Sequence, residues 1–282
     1  MVKIISDSTC DLSPELIAKY DIDILPLHIL LGEDEYEDGR NITPQQIYDW
    51  SDAHKTTPKT SAPSLAEAID LFRPYIEEKR ELVCFSISGS MSTSGNVMRL
   101  AAEELEASDL VTVVDSANLS TGIGLLVIEA AIMAEKGQSA AEIAATIESL
   151  KPNVRASFVV DTLTYLYRGG RCNAVSAMAG GVLRLHPKIV VENGAMDASK
   201  KYRGKINSVI MSYVKDMEED LKSARPERVF ITHSGCDRDT VNAVRSCLES
   251  LGIFHEILET RAGGVVSSHC GPGTLGVLFI AK

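Results

Sequence analysis

The 282-residue chain carries 28 basic and 39 acidic side chains, and its net charge of −11 argues against general nucleic-acid binding. The length allows two domains or one large α/β unit and an apolar fraction of 45% supports a substantial core, while the most apolar stretch, Gly122 to Ala134, is interrupted by Glu129 and too short to span a bilayer. The start, Met1 to Asp7, lacks the basic and apolar runs of an export signal, and the six scattered cysteines form no CxxC pair; a cytoplasmic protein with reduced thiols and no zinc site is expected.

Val2–Ser6 reads as a strand, and Ser13-Pro14-Glu15 as a helix start with a cap, an N1 proline and a first-turn acid. Ile22–Leu25 and Leu27–Leu31 read as extended segments, turning through Gly32–Gly39. Thr43-Pro44 opens a helix to Trp50, and Ser64 caps one to Glu78. Strand 82–87, helix 95–107, strand 110–114 and helices 120–136 and 140–150 follow. Such alternation implies a mostly parallel sheet with helices on both faces. Pro152-Asn153 is the candidate boundary, giving domains 1–152 and 153–282. Beyond it the pattern predicts strand 156–160, a short helix 163–167, an Arg168-Gly-Gly-Arg171 turn and a small-residue segment, Ala174–Gly181, suited to a tight helix or to a backbone beside a ligand. A hairpin through Asn193-Gly194, a helix over 204–222, strand 228–232, helix 238–250, strand 253–257 and strand 275–281 complete a smaller α/β domain.

Six of the nine residues from Ser86 to Ser94 carry hydroxyls, between a buried strand and a helix. Serines cap helices and fill turns, so one such loop alone says little. Three more hydroxyl-rich segments occupy similar positions: Ser6-Asp7-Ser8-Thr9, Lys59 to Ser64, and Ser267-Ser268-His269, the last read as a loop before the final strand. Ligands gather beyond the carboxyl ends of strands in open α/β sheets, so at least two of these segments are expected in one crevice, as an anion site. Gly271 to Gly276 matches GxGxxG, but a strand follows it rather than a helix, and no P-loop exists; no nucleotide site is expected. His269 beside serines reads as a donor to a carboxylate rather than a catalytic base, because no GxSxG elbow and no orienting acid can be identified. A serine/histidine hydrolase or phosphotransferase in the same crevice, or a module sensing a small anion, are the alternatives. Between Leu163 and Ile210, Arg168, Arg171, Arg184, Lys188, Lys200, Lys201, Arg203 and Lys205 stand against Glu192 and Asp197, a local excess of six positive charges in an acidic chain. This segment is a candidate docking face for an acidic partner.

Together these residues resemble the DegV family of bacterial fatty-acid-binding proteins over essentially the whole chain. The resemblance rests on Ser6-Asp7-Ser8-Thr9-Cys10-Asp11-Leu12-Ser13, Thr60-Ser61-Ala62-Pro63-Ser64 (alanine where the family has glutamine), Gly169-Gly170-Arg171 and Ser268 to Gly273, in that order. It implies two α/β domains holding one long-chain fatty acid in the crevice between them, with no other cofactor. Its carboxylate is then bound by Thr60, Ser92 and His269, with Ser61 and Ser94 close enough to assist. The family's serine-serine-glycine-leucine-serine-glycine loop reads Ser88-Gly89-Ser90-Met91-Ser92-Thr93 here, a departure that touches the choice of Ser92. The resemblance also implies a carrier rather than an enzyme. The presented carboxylate would be phosphorylated by a separate dihydroxyacetone-kinase-like fatty acid kinase, for phospholipid synthesis, and Arg171 and Arg203 match the family's kinase-facing surface.

Overall fold

A computed structural model describes residues 1–172 and 185–282. The segment Ala174–Gly181 and Arg184, both singled out above, lie outside the described residues. In chain order the strands are β1 (Lys3–Asp7), β2 (Ile22–Leu25), β3 (His28–Leu31), β4 (Asp34–Glu37), β5 (Lys59–Ser61), β6 (Leu82–Ser86), β7 (Val111–Asp115), β8 (Val154–Val159), β9 (Leu185–Glu192), β10 (Ala195–Arg203), β11 (Ala224–His233), β12 (Glu256–Arg261) and β13 (Leu275–Ala281).

The parallel sheet runs β2-β1-β6-β7. Every residue of β1 and β6 is buried, as strands covered on both faces require. Alternation splits their side chains between two cores. Ile4, Val83 and Phe85 meet the helix Thr121–Glu135 side, whereas Ile5, Leu82 and Cys84 pack with Phe72 and Met98 from the helices Leu65–Glu77 and Ser94–Glu104. The second sheet is mixed, in the order β10-β9-β8-β13-β11-β12, and β13 is antiparallel to both neighbours. One of its faces packs on Val209, Tyr213, Val241 and Leu248 of the helices Ile206–Asp216 and Arg238–Ser250. Its other face shares the helix Thr121–Glu135 with the parallel sheet, so Ile4 and Val83 belong to the same apolar cluster as Phe158 and Leu278. A helix between two sheets is apolar all round, which is how Thr121–Glu135 reads. The candidate boundary falls on one 3-10 turn, Lys151–Asn153, directly before β8.

Four expectations are corrected. Gly32–Gly39 contains β4, and β4-β3-β5 is a small antiparallel sheet that an alternating β/α reading does not foresee. The helix over 204–222 breaks at Met217, where Glu218, Glu219 and Asp220 open a new helix, Glu218–Lys222, with acids at its positive end. The strand placed at 253–257 lies at 256–261 instead. This edge strand hides its period behind charges: Glu259 pairs with Arg238 and Arg245. Finally, Ser267-Ser268-His269 belong to a helix, Gly264–Cys270, not a loop. Glycines and paired valines give this segment little intrinsic helicity; it is held by contacts distant in sequence.

Candidate functional site

Antiparallel pairing with β3 puts Thr60 opposite Ile29, and the helix Gly264–Cys270 brings His269 from the far end of the chain, so that Thr60 Oγ1 lies 2.8 Å from His269 Nε2. The other ring nitrogen, Nδ1, is buried without a hydrogen-bond partner among the described residues. It faces Gly169, where a Cβ would stand 2.3 Å from it. This close approach explains the first glycine of the Gly169-Gly170-Arg171 turn. Burial, with the charge of Arg171 adding, pushes the His269 imidazole down to about 4, so it is neutral at physiological pH. Among the described residues no carboxylate orients Nδ1, so they supply no third member of a Ser–His–acid triad.

The hydroxyl-rich loop is sorted by its hydrogen bonds. Ser88 and Ser90 both donate to the carbonyl of Gly194, at 2.6 and 2.5 Å, clipping the loop to the β9–β10 hairpin. That turn has Asn193 at φ 50° and Gly194 at φ 80°, the paired left-handed residues of a tight hairpin. Ile87 N and Gly89 N donate to Asp7 and Asp115. Ser92 Oγ accepts from Ser94 N at 3.2 Å, and its own hydrogen has no acceptor among the described residues. Ser94 is completely buried beside Asp7.

These pieces surround a cavity of about 540 Å³, within the range of small-molecule sites. Thr60, Ser61, Ser92, His269 and Arg171 line it, with Ser61 and Arg171 at exposed positions; Ser94 is not part of the lining. Leu27, Ile87, Met91, Leu119, Val265 and Cys270 supply an apolar wall. Beyond Leu119, Val266 and Cys270 lies a second space of about 30 Å³, bordered by Phe158 and Leu278. Three of the four hydroxyl-rich segments thus reach the cavity, the third through His269 alone. Ser267 and Ser268 turn away to Ala262 O and Gly264 O, and Ser8 and Thr9 bond to Asp38 and Asp7 beneath. No helix among the described residues is long and apolar enough to cross a membrane.

A family model described as "Uncharacterised protein, DegV family" matches residues 1–282. The chain belongs to the DegV family. A DegV domain-containing protein of Deinococcus radiodurans is 34% identical over 98% of this chain and 97% of its own. Among solved structures, a fatty-acid-binding DegV family protein of Thermus thermophilus is similar at 31% identity and a TM-score of 0.90, over 100% of this chain and 99% of that one. A stearic-acid-binding protein of Eubacterium ventriosum is also 31% identical, with a TM-score of 0.86 over 100% of this chain and 99% of its own.

Within this DegV fold, the two docking candidates sit differently. Arg171 borders the cavity and donates to Gly169 O at 2.7 Å, whereas Arg203 closes β10, exposed, opposite Leu185. Lys200 of the basic segment is paired with Asp216. What the sequence reading of a DegV chain missed are the distant apolar wall, the Gly194 clip and two buried carboxyls, Asp11 and Asp38. A signal for Asp11 was present, in a carboxylate embedded in the Cys10-Asp11-Leu12 run after an apolar strand.

Proposed function

We propose that the chain binds one long-chain fatty acid in this cavity. Thr60, Ser92 and His269 hold the carboxylate, Ser61 assists at the rim, and the tail lies along Leu27, Met91, Leu119 and Val265 toward Phe158 and Leu278. The observation that carries the reading is the cavity's composition: the hydrogen-bonded Thr60–His269 pair and a Ser92 hydroxyl whose hydrogen has no acceptor among the described residues face the same space as an apolar wall. Fatty-acid binding by the similar proteins of Thermus thermophilus and Eubacterium ventriosum supports it. Each buried methylene contributes about 0.8 kcal/mol, whereas a hydrogen bond to a charged group nets roughly 1.5–3 kcal/mol. The tail therefore supplies most of the affinity and the donors fix the head group. A separate fatty acid kinase then phosphorylates the presented carboxylate, docking on the basic face that includes Arg171 and Arg203, with 1–152 and 153–282 as the two domains around the ligand. Ser94 supports the site from below rather than touching the ligand.

Lipid extraction and native mass spectrometry of the purified protein test the binding: one fatty acid per chain is expected, and a protein that neither retains nor exchanges one overturns the reading. Arg203 gives the cleaner test of docking because it is outside the cavity lining. Arg203→Ala is expected to slow phosphorylation by an added kinase with fatty-acid retention kept.

A further inference from the structure

The helix that carries His269 is short and has no side-chain cap of its own, with Gly263 at the N-cap position. Its first amides need acceptors. Both come from the other half of the chain: Gly263 N donates to Asp11 Oδ1 at 2.8 Å, and Gly264 N to Asp38 Oδ1 at 2.6 Å. The second oxygen of each carboxyl is also engaged. Ser120 Oγ donates to Asp11 Oδ2 at 2.5 Å, next to Leu119 of the cavity wall, and Ser8 Oγ donates to Asp38 Oδ2 at 2.8 Å, directly after β1. Asp11 and Asp38 are 5% and 2% exposed, and neither forms an ion pair among the described residues. Carboxyls are rarely buried without a cation, and all four oxygens here serve the elements that frame the cavity.

We propose that Asp11 and Asp38 are positioning residues for the head-group site, holding the first turn of the helix Gly264–Cys270 and the 119–120 wall so that His269 meets Thr60. The inference rests on the fatty-acid reading above. It assigns a task to this chain's opening Asp7-Ser8-Thr9-Cys10-Asp11 segment, whose Asp11 is not part of the cavity lining. Burial pushes Asp11 up to about 8 and Asp38 up to about 6.

The test is a competition assay on the full chain, in which a fluorescent fatty acid is displaced by palmitic acid or by hexadecanol. Wild type is expected to prefer the acid at least tenfold. Asp38→Ala should lose most of that preference, with hexadecanol affinity within threefold of wild type. Asp38→Asn, which keeps an acceptor for Gly264 N, should recover much of it. A merely structural role would weaken both ligands together and leave their ratio unchanged. A folded Asp38→Ala protein with the wild-type ratio overturns the inference while leaving fatty-acid binding intact. Should Asp38→Ala not fold, Asp11→Ala, which removes the acceptor of Gly263 N, decides by the same ratio, and a wild-type ratio there overturns it. A wild-type protein indifferent to the head group overturns the fatty-acid reading and this inference with it.

Discussion

Replacing Gly169 by alanine perturbs the site through His269 without replacing any residue proposed to contact the ligand. An added Cβ stands 2.3 Å from His269 Nδ1 and 3.2 Å from Cε1, well inside contact distance, so the ring must retreat by about 1 Å or more. It cannot retreat freely, because its opposite nitrogen already lies 2.8 Å from Thr60 Oγ1. Overpacking of this kind costs roughly 1–3 kcal/mol, and loss of the Thr60–His269 hydrogen bond roughly 0.5–1.5 kcal/mol more. A head group that loses one charged hydrogen bond, worth roughly 1.5–3 kcal/mol, binds about ten- to a hundredfold more weakly. Displacement of a fluorescent fatty acid gives the affinity, and thermal melting gives the stability. Gly170→Ala is the control: the residue has φ 66° and nothing within 4 Å of its Cβ position, so only backbone strain of about 1 kcal/mol is expected. Wild-type affinity and melting temperature in Gly169→Ala would refute the account of how His269 is held.

Ser92→Ala is expected to weaken fatty-acid binding about tenfold with little change in melting temperature, whereas Ser88→Ala, which breaks a clip to Gly194 outside the cavity lining, should lower stability by about 1 kcal/mol and spare the ligand; equal effects on binding would contradict the sorting of these hydroxyls. His269, held near 4 in the fold against an ordinary 6.5, binds fewer protons than the unfolded chain between those values. Its contribution is therefore present above pH 6.5 and lost as pH falls toward 4, by up to about 3 kcal/mol. The difference in urea midpoint between wild type and His269→Gln should carry that slope, whereas the raised Asp11 and Asp38 act in the opposite sense, as pH rises, in both proteins. Glu129 on the shared helix pairs with Arg228, which is 8% exposed, and with Arg225. Glu129→Gln is expected to cost roughly 1–3 kcal/mol in urea unfolding, because the buried Arg228 then keeps Glu256, at 3.6 Å, but loses its nearer carboxylate.

The parts of the fold legible in the sequence are those whose cause is local. Leu82–Ser86 announces a doubly covered strand, Ser64 with Glu67 forms the capping box its spacing suggests, and Asn193-Gly194 turns the hairpin. The helix Gly264–Cys270 was not legible because its stabilisation comes from Asp11 and Asp38, which lie 252 and 226 residues away. The edge strand β12 was displaced by its own ion pairs. For the site, residue chemistry pointed to the hydroxyl-rich segments and to His269, the family resemblance singled out Thr60 and Ser92 among them, and the fold brings the three to one cavity. Local sequence could not separate Ser88 and Ser90, consumed by a carbonyl a hundred residues away, from Ser92. Nor could it assemble a wall from Leu27, Leu119 and Val265, which share no period.

The position of β13 has a consequence for how the protein is made. Residues 275–281 lie between β8 and β11, in the interior of the six-stranded sheet. A ribosome releases the parallel sheet's strands long before that segment emerges, so the first half can condense while the second still lacks its central partner. Until then β8 and β11 present unpaired edges, and His269, a few residues upstream, has no fixed place. Assembly of the cavity thus waits for residues 264–281. A polypeptide that stops short of them has a Thr60 strand and a serine loop but no His269 helix to stand opposite.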